Sequence, residues 1–518
     1  EMLSGDWSSD VCSSDLLGRA STIQRLIGGE AFDTALSYDD FGRVATVTYP
    51  EGAGQGSFGV TNEYDPNGHL LAVRNAAAED KSAAPYWRLI RTDSADRSEV
   101  EAFGNGFTTT RGYDDARDRL ASIVTAKGAQ PPVQNLTYSY DAKLNLATRH
   151  DGLQADNATE VFGYDGLDRL TCATFSTAAQ CPIADRYSYA PNGNLLTKPG
   201  IPGVYGYDPD HPHAVKSAGG ESFTHDTTGN PITRAGVSVT FTAFDMPKSF
   251  TPPAGQGQKV VTLDYDGEQA RVRKIAGDET TVYAGGLYER MTNATTGAVE
   301  HRYFVHGNER IVAVVTRMSG AAQTNAEQVR YLHVDHLGSV ETVTGDAGGK
   351  AVEKRSYDAF GERRNPAWGG APGNLSSETS RGFTGHEDDE DLRLVNMKGR
   401  LYDPHIGRFL TPDPFVSHPS FGQSWNPYSY VLNNPLAFID PSGFADETVN
   451  PSCGGSCERR TVSFPKGSNT MTYPKGTPPP PRPGPAPPPP NVDASLAGLG
   501  ATPVDLGATG NARPGVPS

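Results

Sequence analysis

The chain has 518 residues, of which 36% are hydrophobic and 20% are charged, and its formal net charge is −16. Its 58 glycines and 40 prolines, which show no three-residue period, exclude collagen and argue against a helical protein. The acidic balance disfavours nucleic acid as a partner, and no segment approaches the roughly 18 consecutive apolar residues that span a bilayer. A turn-dense all-β protein fits these numbers.

The first residues differ from the rest of the chain. The sequence begins at Glu1, and the polar run 8–16 is unlike everything that follows it. No charged-then-apolar signal peptide is visible in this fragment. We interpret residues 1–25 as a non-repeat leader of non-native origin and leave it out of the fold prediction.

From residue 26 a unit of the form Tyr-Asp-x-x-Gly-x-apolar recurs. Well-formed copies start at Tyr38 and Tyr64, and a late copy starts at Tyr357. Degenerate copies start at Tyr113, Tyr140, Tyr164, Tyr189, Tyr207, His225, Phe244 and Tyr265. The gap between the copies at 64 and 113 has room for one eroded unit.

Each copy predicts a β-hairpin. The run before a unit, such as 261–265, alternates apolar and polar residues as a half-buried strand does, with Tyr as its last inward-facing residue. We expect the Asp to accept hydrogen bonds from amides of the turn, and the Gly to supply its positive φ. Neighbouring hairpins then bury each other's faces.

A denser series of motifs follows residue 320. His333, Asp335 and His336 are residue types that bind zinc, but the two histidines would point to opposite faces of a strand. A hydrogen-bonded turn is therefore the preferred interpretation. The acidic run 386–391 offers oxygens to a hard cation, and we prefer a solvated loop. We expect neither a metal nor a cofactor.

The repeats and the later motifs together resemble the RHS repeat-associated core proteins. This YD-repeat family includes bacterial polymorphic toxins and is similar to the toxin-complex C subunits and, more distantly, the teneurins. The resemblance covers about residues 30–444 and rests most on 331–339, 399–414 and 426–444, which follow the order and spacing of the family. It implies β-hairpins that coil into part of a hollow shell, with a YD-repeat segment at 26–320 and a core at 321–444.

The resemblance also implies self-cleavage. In the family the core ends in Pro-x-x-x-x-Asp-Pro-x-Gly-Leu, and the chain is cut after the last residue. The corresponding residues here are Pro435, Asp440, Pro441, Gly443 and Phe444. Phe therefore replaces the Leu after which the family cuts.

An aspartic-type mechanism needs two carboxyl groups that share a proton, one acting as base on water and the other as acid. The candidates are Asp413, Asp403 and Asp440, with Arg408 or Arg400 available to orient one of them. Asp413 is the first choice because of its place in the Gly-Arg-Phe-x-x-x-Asp-Pro motif. Its partner stays open, since Asp-Pro pairs are also typical turn formers.

The remaining residues, 445–518, have a different composition. Ten of the 13 residues in 478–490 are proline, which predicts a stiff polyproline spacer, and no apolar periodicity follows it. We expect a disordered tail, either a truncated toxin region or a linker, and no toxin chemistry can be assigned to it.

Two functions remain in competition. The first is a secreted or cell-surface toxin scaffold that encloses a C-terminal effector and releases it by cutting after Phe444. Its implied partners are that effector, a secretion apparatus and an immunity protein. The second is a cell-surface module without proteolytic activity, whose exposed Tyr and Asp side chains bind carbohydrate.

Overall fold

The structure, a computed structural model, describes residues 10–51, 56–78, 83–154, 158–175, 180–255, 257–322, 327–346, 348–368 and 377–448. All of them belong to one unit, Glu1–Arg460; a second unit, Thr461–Ser518, and the predicted Pro-rich spacer lie outside the described residues. The described residues fold almost entirely as antiparallel strands, which confirms the all-β fold class. None of their helices is long and apolar enough to cross a membrane.

Two large sheets account for most strands, and in both the strands pair in chain order. The first sheet contains β1–β14, which are Asp10–Ser14, Ala20–Ile27, Glu30–Tyr38, Val44–Thr48, Gly59–Tyr64, Leu70–Asn75, Trp87–Thr92, Ser98–Phe103, Thr108–Asp114, Arg119–Ala126, Gln134–Tyr140, Leu146–Asp151, Thr159–Tyr164 and Leu170–Thr174. A two-stranded sheet of β15 and β16 follows, at Ser188–Tyr189 and Leu195–Thr197.

The second large sheet contains β17–β31, which are Gly206–Tyr207, Val215–Ala218, Glu221–His225, Pro231–Arg234, Val237–Phe241, Pro247–Thr251, Val261–Tyr265, Arg271–Ala276, Glu279–Ala284, Tyr288–Asn293, Ala298–Gly307, Arg310–Gly320, Gln328–Val334, Val340–Gly345 and Ala351–Lys354. The last strands, β32–β39, form three small sheets at Ser356–Tyr357 with Arg363–Arg364; Glu387–Asp389, Leu394–Asn396, Leu401–Asp403 and Arg408–Phe409; and Phe438–Ile439 with Glu447–Thr448. Four short 3-10 helices are at Ile183–Asp185, Phe383–Gly385, Gly422–Trp425 and Val431–Asn433.

The repeated unit forms the turn that the sequence predicts. In the copy at Tyr38, the Asp39 carboxylate accepts hydrogen bonds from the amides of Phe41 and Arg43, at 3.0 and 2.9 Å. Gly42 has a φ of +80°, which glycine adopts without strain. The same two-amide arrangement recurs at Asp15, Asp93, Asp141, Asp165, Asp226, Asp266, Asp335 and Asp358.

The tyrosines also tie consecutive hairpins together. The Tyr38 hydroxyl donates to the Ala20 carbonyl at 2.8 Å, and the Arg19 guanidinium lies 4.3 Å from the centroid of the Tyr38 ring. The same hydroxyl bond, 2.6–2.9 Å long, recurs at Tyr64, Tyr113, Tyr140, Tyr164, Tyr189, Tyr207 and Tyr265. Each of these Tyr residues therefore links its hairpin to the preceding one, in addition to the packing that the sequence predicts.

The structure shows a further repeat turn between the copies at Tyr64 and Tyr113. Thr92–Arg97 forms the same turn around Asp93, between the copies at 64 and 113, where one eroded unit is expected. Asp335 holds the amides of Leu337 and Ser339 at 2.9 Å, so the hydrogen-bonded turn predicted for the His-Asp-His motif is confirmed.

One predicted copy is wrong in its position. The copy assigned to Phe244 starts three residues earlier, at Phe241. The Thr242 hydroxyl takes the place of the Asp and accepts from the Met246 amide at 3.1 Å. Thr differs from the Asp of the Tyr-Asp-x-x-Gly unit, and the nearby Asp245 occupies the position of the turn glycine, with a φ of +60°.

The hairpin pattern extends into the predicted leader. β1 pairs with β2, and the Asp15 carboxylate in the turn between them holds the amides of Leu17 and Arg19. Ser14 stands where the repeats have Tyr, which is why the sequence pattern does not show this copy. The boundaries of the predicted segments stay predictions.

The acidic run 386–391 is not the solvated loop that its composition favours. Glu387 and Asp389 lie in β34, are 5% and 1% exposed, and both pair with Arg271 of β24. Burial by itself would raise the pKa of Glu387, but Arg271 and neighbouring cations lower it to about 2. These partners are more than 100 residues away along the chain, so composition alone could not reveal them.

Another buried carboxylate, Glu101, links the two large sheets. Glu101 of β8 is fully buried and accepts a hydrogen bond from Trp87 Nε1 at 2.6 Å. It pairs with Arg111 of β9 at 2.6 Å and with Arg310 of β28 at 2.5 Å. Burial opposes the ionised form of Glu101, but the two arginines outweigh it and hold the pKa of that carboxyl well below its usual range.

We expect Glu101→Gln to lower the free energy of unfolding by about 3–5 kcal/mol, because it leaves two buried guanidinium groups without their counter-charge. Urea unfolding measures this loss. The matched control is Glu99→Gln on the same strand, whose pair with Arg91 is exposed to solvent, so little change is expected. Equal losses in the two variants would contradict the role assigned to Glu101.

Candidate functional site

The predicted cleavage motif lies in the loop of a short hairpin. β38 ends at Ile439, β39 begins at Glu447, and the two strands pair antiparallel. The loop contains Asp440, Pro441, Gly443 and Phe444, and Pro435 lies in the turn that precedes β38. The Phe444–Ala445 peptide bond is therefore held inside a closed hairpin.

Every main-chain carbonyl from residue 440 to residue 444 accepts a hydrogen bond. The donors, in the order of the carbonyls, are His386 Nε2 (3.0 Å), Lys398 Nζ (2.9 Å), the Gly399 amide (3.0 Å), Arg400 Nε and Ser417 Oγ (3.5 Å). Three of the five donors come from the consecutive residues 398–400, between β35 and β36. The loop is thus held along its whole length in one conformation.

Two glycines permit this close seating. A Cβ at Gly399 would lie 2.1 Å from Cε2 of the Phe444 ring, far inside any normal contact. A Cβ at Gly443 would lie 2.5 Å from the Met397 carbonyl oxygen, and the φ of Gly443 is +79°. A side chain at 443 therefore requires the loop to move, and one at 399 requires the Phe444 ring to move.

One guanidinium group joins two of the candidate carboxyl groups. Arg400 Nη2 lies 2.9 Å from Asp413 Oδ2 and 3.4 Å from Asp440 Oδ2. The same arginine donates to the Gly443 carbonyl, and its Cζ lies 3.6 Å from the centroid of the Phe409 ring. Arg400 is almost fully buried, so it fixes the positions of both carboxyl groups.

Both ends of the Phe444–Ala445 peptide bond contact polar side chains. The Ala445 amide donates to Asp440 Oδ1 at 3.0 Å, and the Phe444 carbonyl accepts from Ser417 Oγ. Asp440 thus lies beside the nitrogen of the bond.

Burial changes the acidity of the two carboxyl groups. Burial raises the pKa of Asp440, which is 3% exposed, and the pKa of the half-buried Asp413. Arg400 opposes both shifts by favouring the ionised forms. Burial therefore favours the protonated form of each carboxyl group over that of an exposed aspartate.

These groups line a single pocket. Arg400, Asp413, Asp440, Phe444 and Ala445 all contribute to its wall. About 40 Å³ of its space can be occupied by the centres of water molecules, which is enough for at least one water. The arrangement therefore places a peptide bond, two carboxyl groups and room for water together.

The other two candidates, Asp403 and Arg408, are not in the wall of this pocket. Asp403 of β36 pairs with Arg234 at 2.8 Å and holds the amides of His405 and Ile406, as a turn-forming Asp does. Arg408 of β37 donates to Asn433 Oδ1 at 2.8 Å. The two residues are direct partners across the β36–β37 ladder.

The alternation of β36 explains this separation. Leu401 and Tyr402 pack into different hydrophobic clusters, because consecutive side chains of a strand point to opposite faces. Asp403 shares the face of Leu401, whereas Arg400 reaches the Phe409 ring in the cluster of Tyr402. The spacing of the residues in the sequence does not show which of these side chains face the pocket.

The sequence pattern misses two residues that contact the loop. Gly399 and Ser417 carry no recognisable catalytic signal, and their contacts exist only because the 440–446 loop folds back onto them. Among the described residues, no group of three or more His, Cys, Asp or Glu side chains is placed to hold a metal ion.

Comparison with known proteins gives a consistent result. The Teneurin YD-shell family profile matches residues 82–436. The chain is 25% identical to double-stranded DNA deaminase toxin A of Burkholderia cenocepacia over 79% of its length, and 23% identical to toxin protein Tse5 of Pseudomonas aeruginosa over 81%. It spans 24% and 27% of those two relatives, respectively.

A solved structure has the same fold. The crystal structure of TcdB2–TccC3 superposes with a TM-score of 0.67 at 19% identity, covering 83% of this chain and 24% of that one. The two large antiparallel sheets therefore have the YD-shell fold. At this identity the likeness establishes the fold alone.

Proposed function

This chain belongs to the Teneurin YD-shell family, and we propose that it is the shell segment of a toxin-related RHS protein that cuts itself after Phe444. The cut would release a C-terminal effector that the shell holds. The observation that supports this most is the contact of the Phe444–Ala445 bond with Asp440 and Ser417, in the same pocket that the Asp413–Arg400 pair lines.

The two carboxyl groups take different roles in the proposed reaction. Ionised Asp413 removes a proton from a water molecule in the pocket, and the water oxygen attacks the carbonyl carbon of Phe444. Protonated Asp440 gives its proton to the Ala445 nitrogen as the C–N bond breaks. One water is consumed, and the products are a carboxyl group on Phe444 and an amine on Ala445.

Arg400 and Ser417 assist without exchanging protons. Arg400 stabilises whichever carboxyl group is ionised, since both lie within reach of the same nitrogen. Ser417 donates to the carbonyl oxygen, on which negative charge develops during attack. Asp403 and Arg408 pair across β36 and β37, and Arg400 directly precedes β36.

The named relatives support a wider proposal about partners. Two of them are toxins, and a toxin subunit, YenC2 of Yersinia entomophaga, is 23% identical over 69% of this chain. We place this chain in the same setting, as a secreted or cell-surface protein. Its partners would be its own effector segment, an immunity protein and a secretion apparatus.

A denaturing gel of the full-length chain, made by cell-free synthesis and sampled over time, tests the proposal. We expect the full-length band to give way to two fragments at a rate that does not depend on protein concentration. A chain that stays intact for days after folding, over mildly acidic to neutral pH, would contradict it.

The rate of cutting should depend on pH. Asp413 must be ionised and Asp440 protonated, so the rate falls both at low pH, where the base is lost, and at high pH, where the acid is lost. Because burial raises both pKa values, the maximum is expected above the usual range of aspartate. First-order rates measured from pH 4 to 9 check this; a rate that only rises with pH would contradict it.

A further inference from the structure

We propose that Gly399 determines which residue can precede the cut bond. Because it has no side chain, it leaves room for an aromatic ring at position 444. This inference rests on the proposed self-cleavage and adds to it the side-chain specificity of the site.

The geometry at Gly399 carries the inference. A Cβ there would lie 2.1 Å from Cε2, 2.5 Å from Cζ and 2.6 Å from Cδ2 of the Phe444 ring. Contacts below 3.0 Å are not tolerated, so alanine at 399 would force the ring out of its place. The φ of Gly399 lies outside the left-handed region, so the backbone itself would accept alanine.

The Phe444 ring contacts two other side chains. The Phe415 ring meets it edge to face, with the centroids 6.0 Å apart. The Cζ atom of Arg400 lies 5.8 Å from its centroid. The main chain is held as well, because the Gly399 amide donates to the Ser442 carbonyl at 3.0 Å. Displacing the ring therefore removes two contacts that hold residue 444 beside the carboxyl groups.

A leucine at position 444 would behave differently. Leucine has no atoms in the positions of Cε2 and Cζ, the two ring atoms nearest to the missing Cβ. A leucine methyl in the position of Cδ2 would still lie 2.6 Å from the added Cβ, but rotation about χ2 can move it away, so leucine at 444 crowds alanine at 399 less than phenylalanine does. Glycine at 399 accepts both, with looser packing around leucine.

Four full-length chains test the inference: the parent, Gly399→Ala, Phe444→Leu and the double variant. We expect Gly399→Ala to slow cutting roughly 10- to 100-fold, and Phe444→Leu to change the rate by less than roughly tenfold. The double variant should cut faster than Gly399→Ala alone. Gly422→Ala, where nothing lies within 4 Å of the new Cβ, is the matched control and should cut like the parent.

The outcomes separate this inference from the proposed function. A parent chain that is never cut would overturn the proposed function and the specificity with it. A parent that is cut, together with a Gly399→Ala loss that Phe444→Leu does not restore, would overturn the inference alone. Thermal melts of the four chains in an Asp413→Asn background show whether the same rescue occurs in folding stability, and an additive result there would also count against contact between the two residues.

Discussion

Replacing either carboxyl group of the pocket should nearly abolish self-cleavage. Asp440→Asn removes the proton donor beside the Ala445 nitrogen, and Asp413→Asn removes the base paired with Arg400. Each change is expected to slow cutting by roughly 100- to 10,000-fold, the usual contribution of a positioned acid or base. The first-order rate of fragment formation on denaturing gels measures the effect.

Asp403→Asn is the informative control for these variants. It breaks the buried pair with Arg234, so it should lower the melting temperature. Because Asp403 is outside the pocket wall, the folded chain should still cut at a rate near that of the parent. If cutting survives Asp440→Asn and Asp413→Asn but stops with Asp403→Asn, the proposed assignment of the catalytic carboxyl groups is wrong.

The second large effect is expected for Gly443→Ala. The new Cβ would lie 2.5 Å from the Met397 carbonyl oxygen and 2.8 Å from the Arg400 amide nitrogen, and both atoms belong to the backbone. The loop cannot stay seated, and a displacement of about 1 Å at the reacting bond is enough to slow a reaction roughly 100-fold.

Gly220→Ala separates collision from backbone strain in this experiment. Gly220 has a φ of +87°, close to that of Gly443, but nothing lies within 4 Å of its added Cβ. Gly220→Ala should therefore lower folding stability, because alanine is strained at a positive φ, but it should leave the cutting rate unchanged. Similar cutting rates in the two variants would contradict the proposed seating of the loop.

The local part of the fold is predictable from the sequence. The Asp and Gly of each unit have roles that depend only on the next few residues, so the turn at Asp39 follows from its own sequence. The contact between Tyr38 and the preceding hairpin does not, because its acceptor, the Ala20 carbonyl, is a backbone atom that any residue supplies. The buried state of Glu387 depends on Arg271, whose position only the tertiary structure reveals.

The site is predictable to a similar degree. The motif pattern names Asp413 and Asp440, and both lie in the pocket. It does not show whether Arg400 or Arg408 orients them. The choice between the two arginines depends on which face of a strand each residue occupies. Gly399 begins the 399–414 motif, but the motif does not show its role, since the space it leaves has meaning only once the ring of Phe444 is placed.

The identity of the new chain ends tests the central claim most directly. Full-length protein allowed to cut in water enriched in oxygen-18 is analysed by mass spectrometry. The proposed reaction predicts one fragment that ends at Phe444, with one heavy oxygen in its new carboxyl group, and another that begins at Ala445. A single uncut mass, or a cut at Asp440–Pro441 instead, would contradict it.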